Sequence, residues 1–135
     1  MAGYSGTPLP KKLGIKPGAR VAVLSAPERF LESALRPLPD RVEMRSRARG
    51  PLDVIVFFTK RRAELERRFD TLAGALDRAG ALWVAWPKGT SGVPTDLTEN
   101  TVRDVALPKG LVDTKVAAID EIWSGLKLVI RLENR

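Results

Sequence analysis

The chain contains neither cysteine nor histidine among its 135 residues. Without cysteine it can form no disulfide and no thiolate nucleophile, and without either residue it can form no Cys/His zinc site. The missing histidine also removes the commonest general base near neutral pH. Acid–base catalysis would therefore need a carboxylate or a lysine with a strongly shifted pKa.

Long apolar runs are also missing. The longest unbroken runs are residues 54–58 and 81–86, far short of the roughly 20 residues that a membrane helix needs. The first residues show no basic stretch followed by a long apolar run, so no secretory signal is predicted. We expect a soluble, cytoplasmic protein with one domain over residues 1–135, on which residues 1–19 pack as an arm.

Acidic residues are scarce in the first part of the chain, and the formal net charge is +7. Residues 1–50 carry ten basic against four acidic side chains, and the excess is densest at residues 41–49. There Arg45, Arg47 and Arg49 alternate, which suits either phosphate contacts or protection of an edge strand against aggregation. Because no aromatic residue is interleaved for base stacking, nucleic acid is not the expected partner.

Hydrophobic patterns predict strands that alternate with helices and end in a hairpin, which is typical of an α/β sheet. The link between the last two strands is so short that they must be antiparallel. Thr95 is the predicted N-cap of the last helix, and Gly80 the predicted stop of the longest one. Strands are predicted at residues 20–24, 42–46, 53–59, 81–86, 111–120 and 126–132, and helices at residues 10–13, 26–35, 60–79 and 95–106.

Two segments resemble Rossmann-type methyltransferases: residues 13–24, LGIKPGARVAVL, resemble the entry to their first strand, and residues 79–88, AGALWVAWPK, a later strand. More specifically, the chain resembles a family of small bacterial domains of unknown function through YSGTPLPKKLGIKPG, VAWPK, TDLTE and AIDEIWSGLKLV. The resemblance implies one Rossmann-like, methyltransferase-like sheet of order 2-1-3-4-6-5, with the last strand antiparallel and helices on both faces. It implies no activity.

The turn after the first strand argues against a cofactor. A dinucleotide or S-adenosylmethionine site of this fold needs a glycine-rich turn there, whose backbone N–H groups approach the ligand. Here residues 25–28 are SAPE, without glycine, and Pro27 has no N–H to donate. The acidic residue expected after the second strand is replaced by Ser46 and Arg47. We therefore predict no cofactor in the standard mode, and no metal.

Two loops are expected to meet at the carboxyl ends of the strands, where parallel sheets bind ligands. They are residues 86–92, WPKGTSG, and the hairpin loop at residues 120–125, DEIWSG. Each feature also has a purely structural explanation. Trp86 and Trp123 could cap the core, the turn at Lys88 could be a solvated loop, and Asp120 and Glu121 could be exposed surface charges. The predicted ligand-binding group is Lys88, Thr90, Ser91, Asp120, Glu121, Trp123 and Ser124.

These observations favour a degenerate methyltransferase-like module for binding or regulation, which recognises an anionic small molecule or a protein partner at this rim. The alternative is a small enzyme that uses the lysine, carboxylates and serine of the group. A weak nucleic-acid binder acting through residues 41–49 is a third hypothesis. Residues 60–62, KRR, support the first, because cations at a helix start oppose the helix dipole and an acidic ligand would relieve that repulsion.

Overall fold

One six-stranded sheet organises residues 7–135, the part of the chain that the computed structural model describes. Residues 1–6, which belong to the predicted arm and to the first family motif, lie outside it. No helix within the described residues is long and apolar enough to span a membrane. The strands are β1 (Arg20–Leu24), β2 (Glu43–Arg45), β3 (Leu52–Phe58), β4 (Leu76–Pro87), β5 (Leu111–Ala118) and β6 (Trp123–Ile130), and the helices are α1 (Leu9–Lys12), α2 (Arg62–Gly74) and α3 (Glu99–Ala106).

The strand order is β2-β1-β3-β4-β6-β5, which confirms the predicted order. β2, β1, β3 and β4 pair in parallel, and β6 is antiparallel to both β4 and β5. The short link at residues 46–51 is compatible with the parallel pairing because β2 has only three residues. At about 3.3 Å per residue, the link has to return only about 10 Å along the sheet.

The sheet separates two hydrophobic layers. One layer, here called the α2 layer, packs side chains of α2 and α3 against the sheet. The other, the α1 layer, packs α1 and residues 27–35 against the opposite face. Trp83 is fully buried in the α1 layer, and its indole Nε1 donates to the Leu13 carbonyl at 3.1 Å. This hydrogen bond fixes the chain that follows α1 to the middle of the sheet.

Two predicted helices are wrong in part or in whole. Residues 26–35 form successive turns instead of a helix, because Arg29 has φ +67° and a left-handed residue interrupts the helical hydrogen bonds. The helix predicted over residues 60–79 ends at Gly74, and β4 begins at Leu76. There Leu76 pairs with Leu52 of β3, so strand pairing overrides the helical pattern.

The predicted N-cap of the last helix is also wrong. The Thr95 hydroxyl donates to the Lys60 carbonyl at 2.7 Å and accepts the Leu97 N–H at 3.1 Å, so it closes a turn. Thr98, three residues later, accepts the Thr101 N–H at 3.2 Å and caps α3. Since both threonines are followed by acidic residues, the local sequence alone suits either as a cap.

Two ion pairs should make the fold less stable in acid. Arg20 donates to Asp53 at 3.1 Å and Arg103 donates to Asp113 at 2.8 Å, and each guanidinium lowers the pKa of its carboxyl. Because both pKa values are lower in the folded state, the two carboxylates stabilise the fold above about pH 4, their unfolded pKa, and lose this contribution as the pH falls through the folded values.

We therefore expect the free energy of unfolding, measured with urea, to fall as the pH is lowered below about 5. Asp113→Asn removes one of the two titrating carboxyl groups, so the loss of unfolding free energy on acidification should be smaller in this variant. A profile for Asp113→Asn that runs parallel to the wild-type profile would show that this pair contributes no pH dependence.

Candidate functional site

A cleft of about 530 Å³ opens where β1 and β3 end and α2 begins. Ser25 follows β1, Phe58 and Thr59 end β3, and Trp123 begins β6, so four elements converge on it. Its volume lies within the range of about 300–1,000 Å³ that is usual for small-molecule sites. The cleft also occupies the position at which open parallel sheets bind ligands, outside the carboxyl ends of the strands.

The floor of the cleft is aromatic. The Phe58 ring contacts the Trp123 indole edge to face, with centroids 5.1 Å apart, and contacts Phe30 in the same manner at 4.9 Å. Phe58 and Trp123 are both buried, so packing from below holds their rings in place. The small part of these rings that reaches the cleft gives it an apolar floor.

The start of α2 forms one wall of the cleft and is held by side chains. The buried Thr59 hydroxyl donates to the carboxylate of Glu64 and accepts the Arg61 N–H at 3.3 Å. Asp96 Oδ1 accepts the Arg62 N–H at 2.7 Å. These contacts satisfy two N–H groups that a helix start otherwise leaves free, and they keep Glu64 against the wall.

Three exposed cations, Lys60, Arg61 and Arg67, line the mouth of the cleft. Within residues 7–135 none of the three makes an ion pair, although the neighbouring Arg62 pairs with Glu66 at 3.2 Å. The single carboxylate of the lining, Glu64, already accepts from Thr59. The mouth therefore carries an excess of positive charge beside a helix N-terminus, where cations are unfavourable.

The two predicted loops do meet at one end of the sheet. The Lys88 N–H donates to the Ile122 carbonyl at 2.7 Å, and Pro87 pairs with Trp123 across β4 and β6. Trp86 and Trp123 are both buried at this end, but they lie in opposite layers, Trp86 in the α2 layer and Trp123 in the α1 layer. Both tryptophans therefore close the core, and Trp123 also forms part of the cleft floor.

Of the seven predicted ligand residues, only Trp123 is among the described residues that line the cleft. Asp120 Oδ1 accepts the N–H groups of Ile122 and Trp123, both at 2.8 Å, and closes the hairpin turn. Ser91 donates to the Lys88 carbonyl at 2.7 Å in a short 3-10 helix. Ser124 lies within β6, paired with residues of both neighbouring strands, while Thr90 and Glu121 are exposed.

In these two loops, Asp120 and Ser91 form hydrogen bonds to the backbone: Asp120 accepts two N–H groups, and Ser91 donates to a carbonyl. Within residues 7–135, no ion pair joins Lys88 to Asp120 or Glu121. The contacts seen in these two loops are those of structured turns. No cluster of acidic side chains suited to a metal ion occurs in the described residues.

The basic patch lies apart from the cleft, at the edge strand β2 and the loop after it. The Arg45 guanidinium donates to Glu43 and to the Arg49 carbonyl, both at 3.3 Å, whereas Arg47 is exposed. A three-residue edge strand that carries charged side chains resembles a protected edge.

Sequence reasoning missed Glu64 and Arg67, which complete the cleft wall. The available signal was their spacing: Arg61, Glu64 and Arg67 recur every three residues and so share one face of α2. The prediction placed the site in loops and considered only residues 60–62, at the start of this helix.

No protein-family model and no curated protein matches the chain, so its place in a family of small bacterial domains stays a prediction. Solved structures do match. A SAM-dependent methyltransferase from Aquifex aeolicus has a TM-score of 0.68 at 13% identity, over 90% of this chain and 87% of that chain. The ribosomal protein L11 methylase from Lactobacillus delbrueckii subsp. bulgaricus has a TM-score of 0.63 at 12% identity, over 91% and 75%.

A third match is magnesium protoporphyrin IX methyltransferase from Synechocystis PCC 6803, solved with bound SAM. Its TM-score is 0.58 at 11% identity, over 91% of this chain and 74% of that chain. At such low identity a structural likeness carries no information about activity. What the three comparisons show, together with the strand order, is that the chain has the fold of the SAM-dependent methyltransferases.

Proposed function

We propose that the protein is a methyltransferase-like binding module that holds a small anionic molecule with an apolar or aromatic body in the rim cleft. The observation that carries the proposal is the combination of an aromatic floor, Phe58 and Trp123, with three cations at the mouth that have no ion-pair partner among residues 7–135. An anion bound there would offset the charge repulsion at the start of α2, while its apolar body packed against the floor of the cleft.

S-adenosylmethionine does not suit the residues present. Ser25 has φ +57° without being glycine, and Pro27 offers no N–H toward the cleft. The turns of residues 27–35 replace a helix after β1, so no helix N-terminus follows that strand. Beyond β2 the chain continues with Ser46 and Arg47 in place of a carboxylate that could accept from a ribose. The module we propose therefore acts without this cofactor.

The proposal is tested with phenyl phosphate, which combines an aromatic body with an anion, against inorganic phosphate and S-adenosylmethionine. We expect phenyl phosphate to shift the Trp123 indole resonance in ¹H–¹⁵N spectra and to bind more tightly than phosphate. Arg61→Gln with Arg67→Gln should weaken phenyl phosphate binding about tenfold or more, since hydrogen bonds to charged groups contribute about 1.5–3 kcal/mol. S-adenosylmethionine should cause no shift.

The matched control is Arg47→Gln with Arg49→Gln, which removes the same charge from exposed positions away from the cleft. It should leave phenyl phosphate binding unchanged. An equal loss of phenyl phosphate affinity in both double variants would mean that binding depends only on net charge. Micromolar affinity for S-adenosylmethionine would contradict the argument from the turn after β1.

A further inference from the structure

A second cleft, of about 510 Å³, lies at the outer edge of the sheet between α1 and β5. Its lining includes Lys11 and Lys12 of α1 and Lys115 of β5, together with the small apolar residues 116–118. It is distinct from the rim cleft because the two clefts share no lining residue among those that the structure describes.

A fourth lysine faces the same side. Lys127 of β6 pairs directly with Lys115 of β5 and with Trp83 of β4. Directly opposed residues of antiparallel strands point to the same face, with Cβ atoms about 4.5–5.5 Å apart. Since Trp83 belongs to the α1 layer, both lysines lie on the face that carries α1. Two like charges in this arrangement destabilise a sheet, so an anion between them would be favourable.

No ion pair within the described residues neutralises Lys115 or Lys127. Among those residues, the cleft lining contains no acidic side chain. The acidic residue of β5, Asp113, is bound to Arg103 at 2.8 Å. Lys12 Nζ donates to the Ala118 carbonyl at 3.1 Å, which holds its ammonium group over the edge of the cleft.

From this arrangement we infer that the lysine cleft, which Lys11, Lys12 and Lys115 line and beside which Lys127 lies on the same face, binds a small molecule that carries two or more phosphate groups. Ammonium groups act as point charges toward phosphate oxygens, and the volume suits a small ligand. Among residues 7–135, the lining has no aromatic ring on which a nucleobase could stack. The register shift in β5 between Asp113 and Lys115 interrupts the edge, which disfavours addition of a peptide strand.

The test uses inorganic tripolyphosphate and orthophosphate as probes in calorimetric titrations of the whole chain. Tripolyphosphate should bind more tightly than orthophosphate, and its affinity should fall as salt is raised. Lys115→Gln with Lys127→Gln should lower that affinity at least tenfold. Without ligand, the same variant should have an unchanged or higher melting temperature, because it removes the repulsion between Lys115 and Lys127. If the two lysines made only a structural contact, their replacement would lower the melting temperature.

The control is Lys16→Gln with Arg78→Gln, which removes two charges at the opposite end of the sheet and should retain tripolyphosphate binding. Arg61→Gln with Arg67→Gln should retain it as well, which separates this site from the rim cleft. Equal affinity for tripolyphosphate and orthophosphate would overturn the inference. So would a loss of affinity in the control variant as large as the loss in the lysine double variant, or binding of hexaglutamate that is tighter than binding of tripolyphosphate. If the lysine double variant does not fold, Lys115→Gln alone is tested, because this side chain is exposed. It should also lower the affinity for tripolyphosphate.

Discussion

Replacing Trp83 with alanine should lower the free energy of unfolding by about 3–5 kcal/mol, the usual cost of removing a buried tryptophan. The side chain is fully buried in the α1 layer, and its indole N–H donates to the Leu13 carbonyl at 3.1 Å. The loss therefore combines a cavity in the centre of the sheet with a carbonyl deprived of its donor. Because that carbonyl belongs to the segment after α1, the packing of this segment on the sheet should loosen as well.

Urea denaturation measures the change, and Trp83→Phe separates its two causes. Phenylalanine fills most of the volume but cannot donate to Leu13, so the remaining loss of about 1–3 kcal/mol reports the unsatisfied carbonyl. Leu132→Ala is the control, because this side chain is 80% exposed and should change stability by no more than about 0.5 kcal/mol. A Trp83→Ala variant as stable as Leu132→Ala would show that the α1 layer does not support the fold.

The strand order could be predicted because its evidence is spread along the whole chain. Continuous apolar runs at residues 54–58 and 81–86 mark strands that are covered on both faces, and the short link before β6 requires an antiparallel hairpin. The glycine-led strand and the closing hairpin, which resemble methyltransferases, then suggested the order of the strands. Each of these signals can be read from a short segment of the sequence or from its resemblance to a known fold, and for this reason the strand order could be predicted.

The local errors arose where a distant segment decides the conformation. Leu76 becomes part of β4 because it pairs with Leu52, and a Cβ on Gly80 would lie 2.8 Å from the Leu52 carbonyl oxygen. Gly80 is therefore a point of close approach between strands and not the end of a helix. Likewise, the Thr95 hydroxyl donates to Lys60, 35 positions earlier in the chain. Neither partner is visible in the neighbouring sequence.

The rim cleft lies at the end of the sheet where the site was predicted, and of the predicted residues only Trp123 is among its described lining residues. The rule that ligands bind at the carboxyl ends of parallel strands locates the rim, and Trp123 lies there as expected. Which side chains line a cleft depends on how α2 leans over the strand ends, and Glu64 and Arg67 enter the wall for that reason. The lysine cleft was missed on similar grounds, since Lys115 and Lys127 meet only through the register of β5 and β6.

The contact between Gly50 and the end of α2 leads to the other large effect on stability. A Cβ on Gly50 would lie 2.2 Å from the Ala75 carbonyl oxygen and 2.8 Å from its carbonyl carbon. That oxygen accepts the Leu52 N–H at 2.8 Å, so it cannot retreat without breaking the hydrogen bond that begins the pairing of β3 with β4. Both obstacles are backbone atoms, which leaves no flexible side chain to absorb the clash.

Gly50→Ala should therefore cost about 3 kcal/mol, the upper end of the usual range for overpacking, with an altered amide environment at Leu52. Urea denaturation and ¹H–¹⁵N spectra measure the two effects. Gly74→Ala is the matched control: it neighbours Ala75 and ends α2, and its added Cβ would meet no atom within 4 Å. Because alanine favours a helix over glycine by up to about 1 kcal/mol, this variant should be as stable as the wild type or more so. If Gly50→Ala behaved like Gly74→Ala, the junction between α2 and β4 would have to be looser than the contact at Ala75 implies.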